Sequence, residues 1–130
     1  MRYLGIDYGA RRIGLAVADG EMNIATPLGV ILKENDAQAI AEIQIVFKQE
    51  RVDRVIMGLP LAHNGSETKE SFEVRAFAEK LKGEVSMPMA FENEMLTTRM
   101  ATHAGVRKED TDAASAALIL QSYLDTNHTE

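Results

Sequence analysis

The residues most able to do chemistry lie near the start of the chain, in Gly5-Ile-Asp-Tyr-Gly-Ala-Arg-Arg-Ile-Gly14. Asp7 ends a strand-like run from Tyr3 to Ile6. Behind it come Gly9, the basic pair Arg11 and Arg12, and a second strand-like run from Ile13 to Ala18. An acid at the lip of a buried strand, backed by a glycine turn and cations, can hold a divalent metal or a phosphate. The strand keeps the carboxylate rigid, the glycine lets the backbone come close, and the arginines face the anion. Asp and Gly are also ordinary hairpin residues, so taken alone the segment fits a plain hairpin equally well.

The elements that must position these groups follow from apolar periodicity. A third apolar run covers Pro27 to Leu32. Asp36 to Glu50 reads as a helix, with Ile40, Ile43 and Phe47 on one face and Asn35 or Asp36 as its cap. Val52 to Gly58 reads as a fourth strand stopped by Gly58 and Pro60, and Leu59 to Ser66 as a polar loop with an Asn64-Gly65 turn. A second helix, Lys69 to Lys82, carries Val74, Phe77, Ala78 and Leu81 and is expected to end at Gly83. A fifth strand over about Val85 to Glu92 precedes a third helix, Leu96 to Ala104, and a last helix from Thr111 or Asp112 to Leu124. Three consecutive strands imply an antiparallel meander, and strands alternating with helices imply right-handed parallel crossovers. The expectation is an α/β, ribonuclease H-like domain over residues 1–130: a five-stranded mixed sheet with helices on both faces and the first strand central.

In such a sheet two further acids must converge on Asp7 to hold metal. Glu94, just past the fifth strand, and Asp112, opening the last helix, are the candidates. Hard divalent ions take oxygen ligands, and two of them about 4 Å apart can activate a water and stabilise the leaving oxygen of a phosphodiester. Spacing alone is weak support, because among twenty acidic residues three easily fall near element ends by chance.

The ordered blocks carry more weight. Gly5–Gly14, Val55-Ile-Met-Gly-Leu-Pro60 with Gly65 in its loop, Val74–Leu81, Leu96-Thr-Thr98, and Asp112 leading into Ile119–Leu124 together resemble the YqgF family. That family comprises pre-16S rRNA nuclease-like and Holliday-junction-resolvase-like proteins related to RuvC-type resolvases, and the likeness runs from Leu4 to Asp125. The resemblance implies a nuclease that hydrolyses nucleic-acid phosphodiesters and processes the 5′ end of pre-16S rRNA. It implies Mg2+ or Mn2+ held by Asp7, Glu94 and Asp112 as the catalytic and metal-binding trio. Two positions depart from the family's Asp-Glu-Arg-Leu-Thr-Thr block. Asn93 stands for an Asp and Met95 for an Arg, so one negative and one positive group are expected to have left the site together, and with the arginine a bidentate phosphate contact or a ligand-orienting partner.

Other residues take plainer readings beside the functional ones. Arg11, Arg12, Arg107 and Lys108 are candidate phosphate contacts, as are Thr97 and Thr98, although two threonines there serve most economically as helix caps. Glu92 shares a strand face with Glu94 and reads first as a solvated strand-end residue. Tyr8 could stack on a base but is better placed to pack on its own protein. Loops Leu59–Ser66 and Gly105–Asp110, polar and glycine-containing, are expected to be the mobile segments flanking the cleft.

Composition sets the limits. The chain has no cysteine, which excludes disulfides and thiolate metal sites, and His63, His103 and His128 lack the spacing of a zinc site. No apolar run approaches a membrane span, and the chain enters a strand at once, leaving no room for a signal peptide, so a cytoplasmic protein with no membrane partner is expected. The net charge of −6 means that contact with nucleic acid must be local. The expected partners are structured RNA or branched DNA, together with the pre-ribosomal small subunit, and the expected state is a monomer or weak homodimer. Three other functions stay open: a Holliday junction resolvase, a catalytically weak ribosome-assembly factor that binds nucleic acid, and an ATP-binding domain of the actin or sugar-kinase type. The last also uses an Asp-x-Gly turn but needs two domains around the nucleotide.

Overall fold

A computed structural model describes residues 1–95 and 108–127. Five strands, β1 (Arg2–Tyr8), β2 (Arg12–Asp19), β3 (Ile24–Leu32), β4 (Arg54–Leu61) and β5 (Met89–Met95), form one sheet in the order β3-β2-β1-β4-β5. The meander β1-β2-β3 is antiparallel, and β4 and β5 join in parallel on the other side of β1. The first strand is therefore central, as its position in the element order requires.

Helices α1 (Asp36–Glu50) and α2 (Lys69–Glu84) cover one face. Their residues Ile40, Ile43, Phe47, Val74, Phe77 and Leu81 pack on Leu4, Ile6, Ile13, Leu15, Val55, Met57 and Leu59. Both helices begin with reciprocal capping boxes, Asn35 with Gln38 and Thr68 with Ser71, which satisfy the first free N–H groups. Asn35, rather than Asp36, is thus the cap of α1.

Among the described residues, helix α3 (Lys108–Asn127) alone covers the opposite face. The strands present small residues to it: Gly5 from β1, Gly14, Ala16 and Ala18 from β2, Gly58 from β4. A Cβ placed on Gly5 would stand 2.9 Å from the Ala116 carbonyl oxygen and 2.9 Å from Leu120 Cβ, and one on Gly14 would overlap the Asp112 carbonyl. The missing side chains let an alanine-rich helix lie with its backbone almost on the sheet.

Several boundaries differ from the sequence expectation. Strand β4 runs through Gly58 and Pro60 to Leu61, so Leu59 and Leu61 are buried strand residues rather than part of a polar loop. The Val55 N–H bonds the Pro88 carbonyl on the β5 side, and N–H directions alternate along a strand. The missing N–H of Pro60 therefore points to the β1 side, beyond the last β1–β4 pair, Ile6 with Met57, where among the described residues no strand partner is lost. Helix α2 continues through Gly83 to Glu84, because extended Val85 closes it by donating its N–H to the Leu81 carbonyl and no left-handed cap is needed. Strand β5 begins at Met89, not Val85, so Glu94 lies within the strand. Helix α3 begins at Lys108, which puts Asp112 one turn inside it instead of at its opening. The expected helix Leu96–Ala104 falls outside the described residues, and so does 105–107 of the loop expected to be mobile.

Candidate functional site

Strand alternation sorts the polar residues. On β1, Leu4, Ile6 and Tyr8 face α1 and α2, and Asp7 faces α3. On β5, Phe91 packs toward α2's side. Glu92 and Glu94 face α3: the Ser122 hydroxyl donates to Glu92 Oε2 at 2.6 Å, and a Cβ on Gly58 would lie 3.1 Å from Glu94 Oε2 and 2.5 Å from Ile119 Cδ1. Glu92 is therefore tied to α3 from within the strand, half-buried, instead of standing at the strand's end.

Asp7 is 5% exposed and stands between two glycines. It pairs with Gly14 on β2, and Gly58 on β4 comes alongside it, one residue beyond the Ile6–Met57 pair. The Asp112 backbone passes over Gly14, and the Glu94 carboxylate lies over Gly58. With neighbouring strands about 4.8 Å apart, the two acids approach Asp7 from its two sides across bare backbone. The glycines admit this close approach, since the Asp112 carbonyl and Ile119 Cδ1 occupy the space a Cβ would take, and the all-oxygen donor set of the three acids suits a hard divalent ion.

In the present arrangement Asp112 is engaged elsewhere. Arg12 Nε donates to Asp112 Oδ2 at 2.9 Å, and the two side chains are 31% and 22% exposed. Among the described residues no three acidic or imidazole side chains stand close enough together to hold an ion. Arg12, expected as a phosphate contact, is thus first the partner of Asp112, whereas Arg11 is exposed. Thr97, Thr98 and Arg107 lie outside the described residues, and Lys108 is the first residue of α3.

The exchange of Asp for Asn93 does not alter this face. Asn93 alternates with Glu92 and Glu94, points to the side of Phe91 and is exposed. The expectation that its charge has left the carboxylate site is corrected by the pleat of β5.

Tyr8 has a structural task. Its ring stacks on Phe77 with centroids 4.4 Å apart, and its hydroxyl bonds Asp36 Oδ1 at 3.2 Å. Asp36 also pairs with Lys33 at 3.1 Å and Lys80 at 2.7 Å, a cluster joining the end of β1 to α1 and α2. Lys80, with Lys33 behind it, holds the Asp36 carboxyl below its usual range, Asp36 in turn raises Lys33, and burial raises the Tyr8 hydroxyl. Sequence reading missed this cluster, and also the glycines that seat α3. Small residues at alternate strand positions (5, 14, 16, 18) opposite an alanine-rich helix were the available signal.

A five-stranded sheet of this order with helices on both faces, carrying acids from β1, β5 and the last helix on one face, defines a ribonuclease H-like protein of the resolvase class. Thermus thermophilus RuvC, solved in complex with a Holliday junction substrate, shares the fold with a TM-score of 0.60 at 15% identity, over 97% of this chain and 94% of that one. The family model described as "RuvX: Holliday junction resolvase" matches residues 1–126, and the chain belongs to this RuvX (YqgF) family of nucleases. Two relatives named "Putative pre-16S rRNA nuclease" are similar along nearly the whole chain. The one from Rickettsia felis is 33% identical over 95% of this chain and 85% of its own length, and the one from Rickettsia typhi 34% over 94% and 83%. Among the described residues no helix is long and apolar enough to cross a membrane.

Proposed function

We propose that residues 1–130 act as one ribonuclease H-like domain, a divalent-metal-dependent nuclease in the cytoplasm that trims the 5′ end of pre-16S rRNA on the pre-ribosomal small subunit. The observation that carries this reading is the placement of Asp7 between Gly14 and Gly58, with Asp112 above one glycine and Glu94 above the other. The names of the relatives point the same way. Asp7, Glu94 and Asp112 would hold Mg2+ or Mn2+, which supplies a Lewis acid for the phosphodiester and acidifies an attacking water. The chain's own contribution is rigidity. Asp7 is fixed on the central strand, Glu94 on its outer neighbour and Asp112 on a helix pressed onto the sheet, so the backbone is in place and what remains is for the Asp112 side chain to leave Arg12. Arg11, Arg107 and Lys108 would contact the phosphate backbone, as local contacts on an acidic protein must, with Thr97 and Thr98 as further candidate substrate contacts.

The family's description favours a second substrate, the four-way DNA junction. Incubating the purified protein with pre-16S rRNA fragments and with a four-way junction, in Mg2+, Mn2+ or EDTA, tests both. The proposal expects metal-dependent shortening of the RNA 5′ end. Cleavage confined to the junction would transfer the function to resolution, and no cleavage of either in any metal would leave a binding factor.

A further inference from the structure

Arg12 and Asp112 meet through one nitrogen and one oxygen only. Nε bonds Oδ2, and among the described residues neither the two terminal nitrogens of Arg12 nor Oδ1 of Asp112 takes a further bond. The pair is partly exposed at the lip of the carboxylate face, where Gly9 packs against the Arg12 carbonyl and fixes the turn. Its two members belong to different tasks: a carboxylate suited to a cation, and a guanidinium whose terminal nitrogens form a fork that fits a phosphate. We propose that Arg12 is a switch shared between Asp112 and the nucleic-acid backbone. It neutralises Asp112 in the free protein and moves to a phosphate when nucleic acid docks, which releases Oδ2 toward the ion. This rests on the nuclease reading and adds a regulatory step to it, since the acidic site becomes competent only when substrate is present.

Such an exchange makes ion binding and nucleic-acid binding mutually reinforcing. If nucleic acid draws Arg12 away, the ion binds more tightly, and by linkage the ion must strengthen nucleic-acid binding by the same factor. A clamp that merely holds Asp112 in position predicts the opposite sign, because loosening the clamp would weaken the ion.

The test compares wild type, Arg12→Gln and Arg12→Lys. Mn2+ is titrated into the free proteins by calorimetry. Affinity for a fluorescent RNA hairpin is read by anisotropy in EDTA and in Ca2+, whose loose and variable coordination suits binding more than in-line attack. Arg12→Gln is expected to bind Mn2+ about two- to fivefold more tightly than wild type, the upper part of the span a partly exposed ion pair commands, and Arg12→Lys to stay near wild type because the charge is kept. Ca2+ should raise the RNA affinity of wild type several-fold and leave that of Arg12→Gln unchanged. Equal or weaker Mn2+ binding by Arg12→Gln, or a Ca2+ effect on RNA that survives the substitution, overturns the switch and leaves the nuclease reading standing. If neither wild type nor variant binds Mn2+, the nuclease reading falls and the switch with it.

Discussion

Replacing Gly14 by alanine asks whether the sheet truly carries α3 on bare backbone. The new Cβ would overlap the Asp112 carbonyl and lie 3.1 Å from the Ala113 nitrogen. Both obstacles are helix backbone, which has no rotamer to escape into, so the last helix must lift or tilt. Overpacking of this kind costs about 1–3 kcal/mol, and a rigid neighbour puts the expectation at the upper end, about 2–3 kcal/mol. Gly29 is the control. A Cβ there meets nothing within 4 Å and its φ is not positive, so Gly29→Ala should be neutral or more stable by about 0.5 kcal/mol through its effect on the unfolded chain. In urea, with a slope of roughly 1–3 kcal/mol per molar for a protein of this size, the two variants should differ in midpoint by about 1 M or more. Gly14→Ala should also lose nuclease activity while still folded at low urea, because the displaced helix carries Asp112. Equal midpoints for the two variants would refute the close seating of α3, and with it the argument that brings Asp112 toward Asp7.

The cluster around Asp36 makes stability depend on pH. Its folded pKa is depressed, so the stabilisation is present above the unfolded carboxylate value of about 4 and is lost as pH falls through the lower folded value. Lys33 is shifted the other way, and its share is complete below the unfolded lysine value of about 10.4 and lost as pH rises through the folded one. Asp36→Asn should therefore cost about 1 kcal/mol at pH 7, a modest figure because Lys80 is 59% exposed, and the gap to wild type in urea midpoints should narrow as pH falls below the unfolded carboxylate value and close below the depressed folded one. Phe77 is 1% exposed and stacks on Tyr8, so Phe77→Ala should cost about 3–5 kcal/mol by thermal or urea unfolding. A loss below 1 kcal/mol would mean that the α1–α2 face is not packed as described.

The sheet order was legible because its signals are local and add up. Strand-length apolar runs around Asp7, the i, i+3, i+7 stripe of Ile40, Ile43 and Phe47, and the order of elements together leave β1 little choice but the centre. The boundaries at Pro60 and Gly83 were misread because both residues break elements only when a partner is denied. Among the described residues Pro60 has no strand on its N–H side, and Gly83 sits in a helix that extended Val85 already closes. The site was half legible. Asp7, Glu94 and Asp112 could be singled out by the elements they sit on and by the family's blocks. The Arg12–Asp112 pair joins residues a hundred positions apart and has no local signature. The Asp36 cluster escaped notice for the same reason, since Lys80 reaches it from another helix. That Asn93 turns away from the acids is decided by where β5 begins, and Pro88 together with the pairing of Met89 to Val55 sets that start.

The central claim is that Asp7 is the fixed carboxylate of a metal-dependent nuclease. The most direct measurement is the rate at which purified wild type and Asp7→Asn cleave a pre-16S rRNA fragment at saturating Mg2+, with circular dichroism and melting compared in parallel. The substitution keeps the shape of a residue that is 5% exposed and removes the charge an ion requires. The expected result is metal-dependent cleavage by wild type and none by Asp7→Asn, with matching spectra. A folded Asp7→Asn that cleaves as fast as wild type would contradict the assignment of the site.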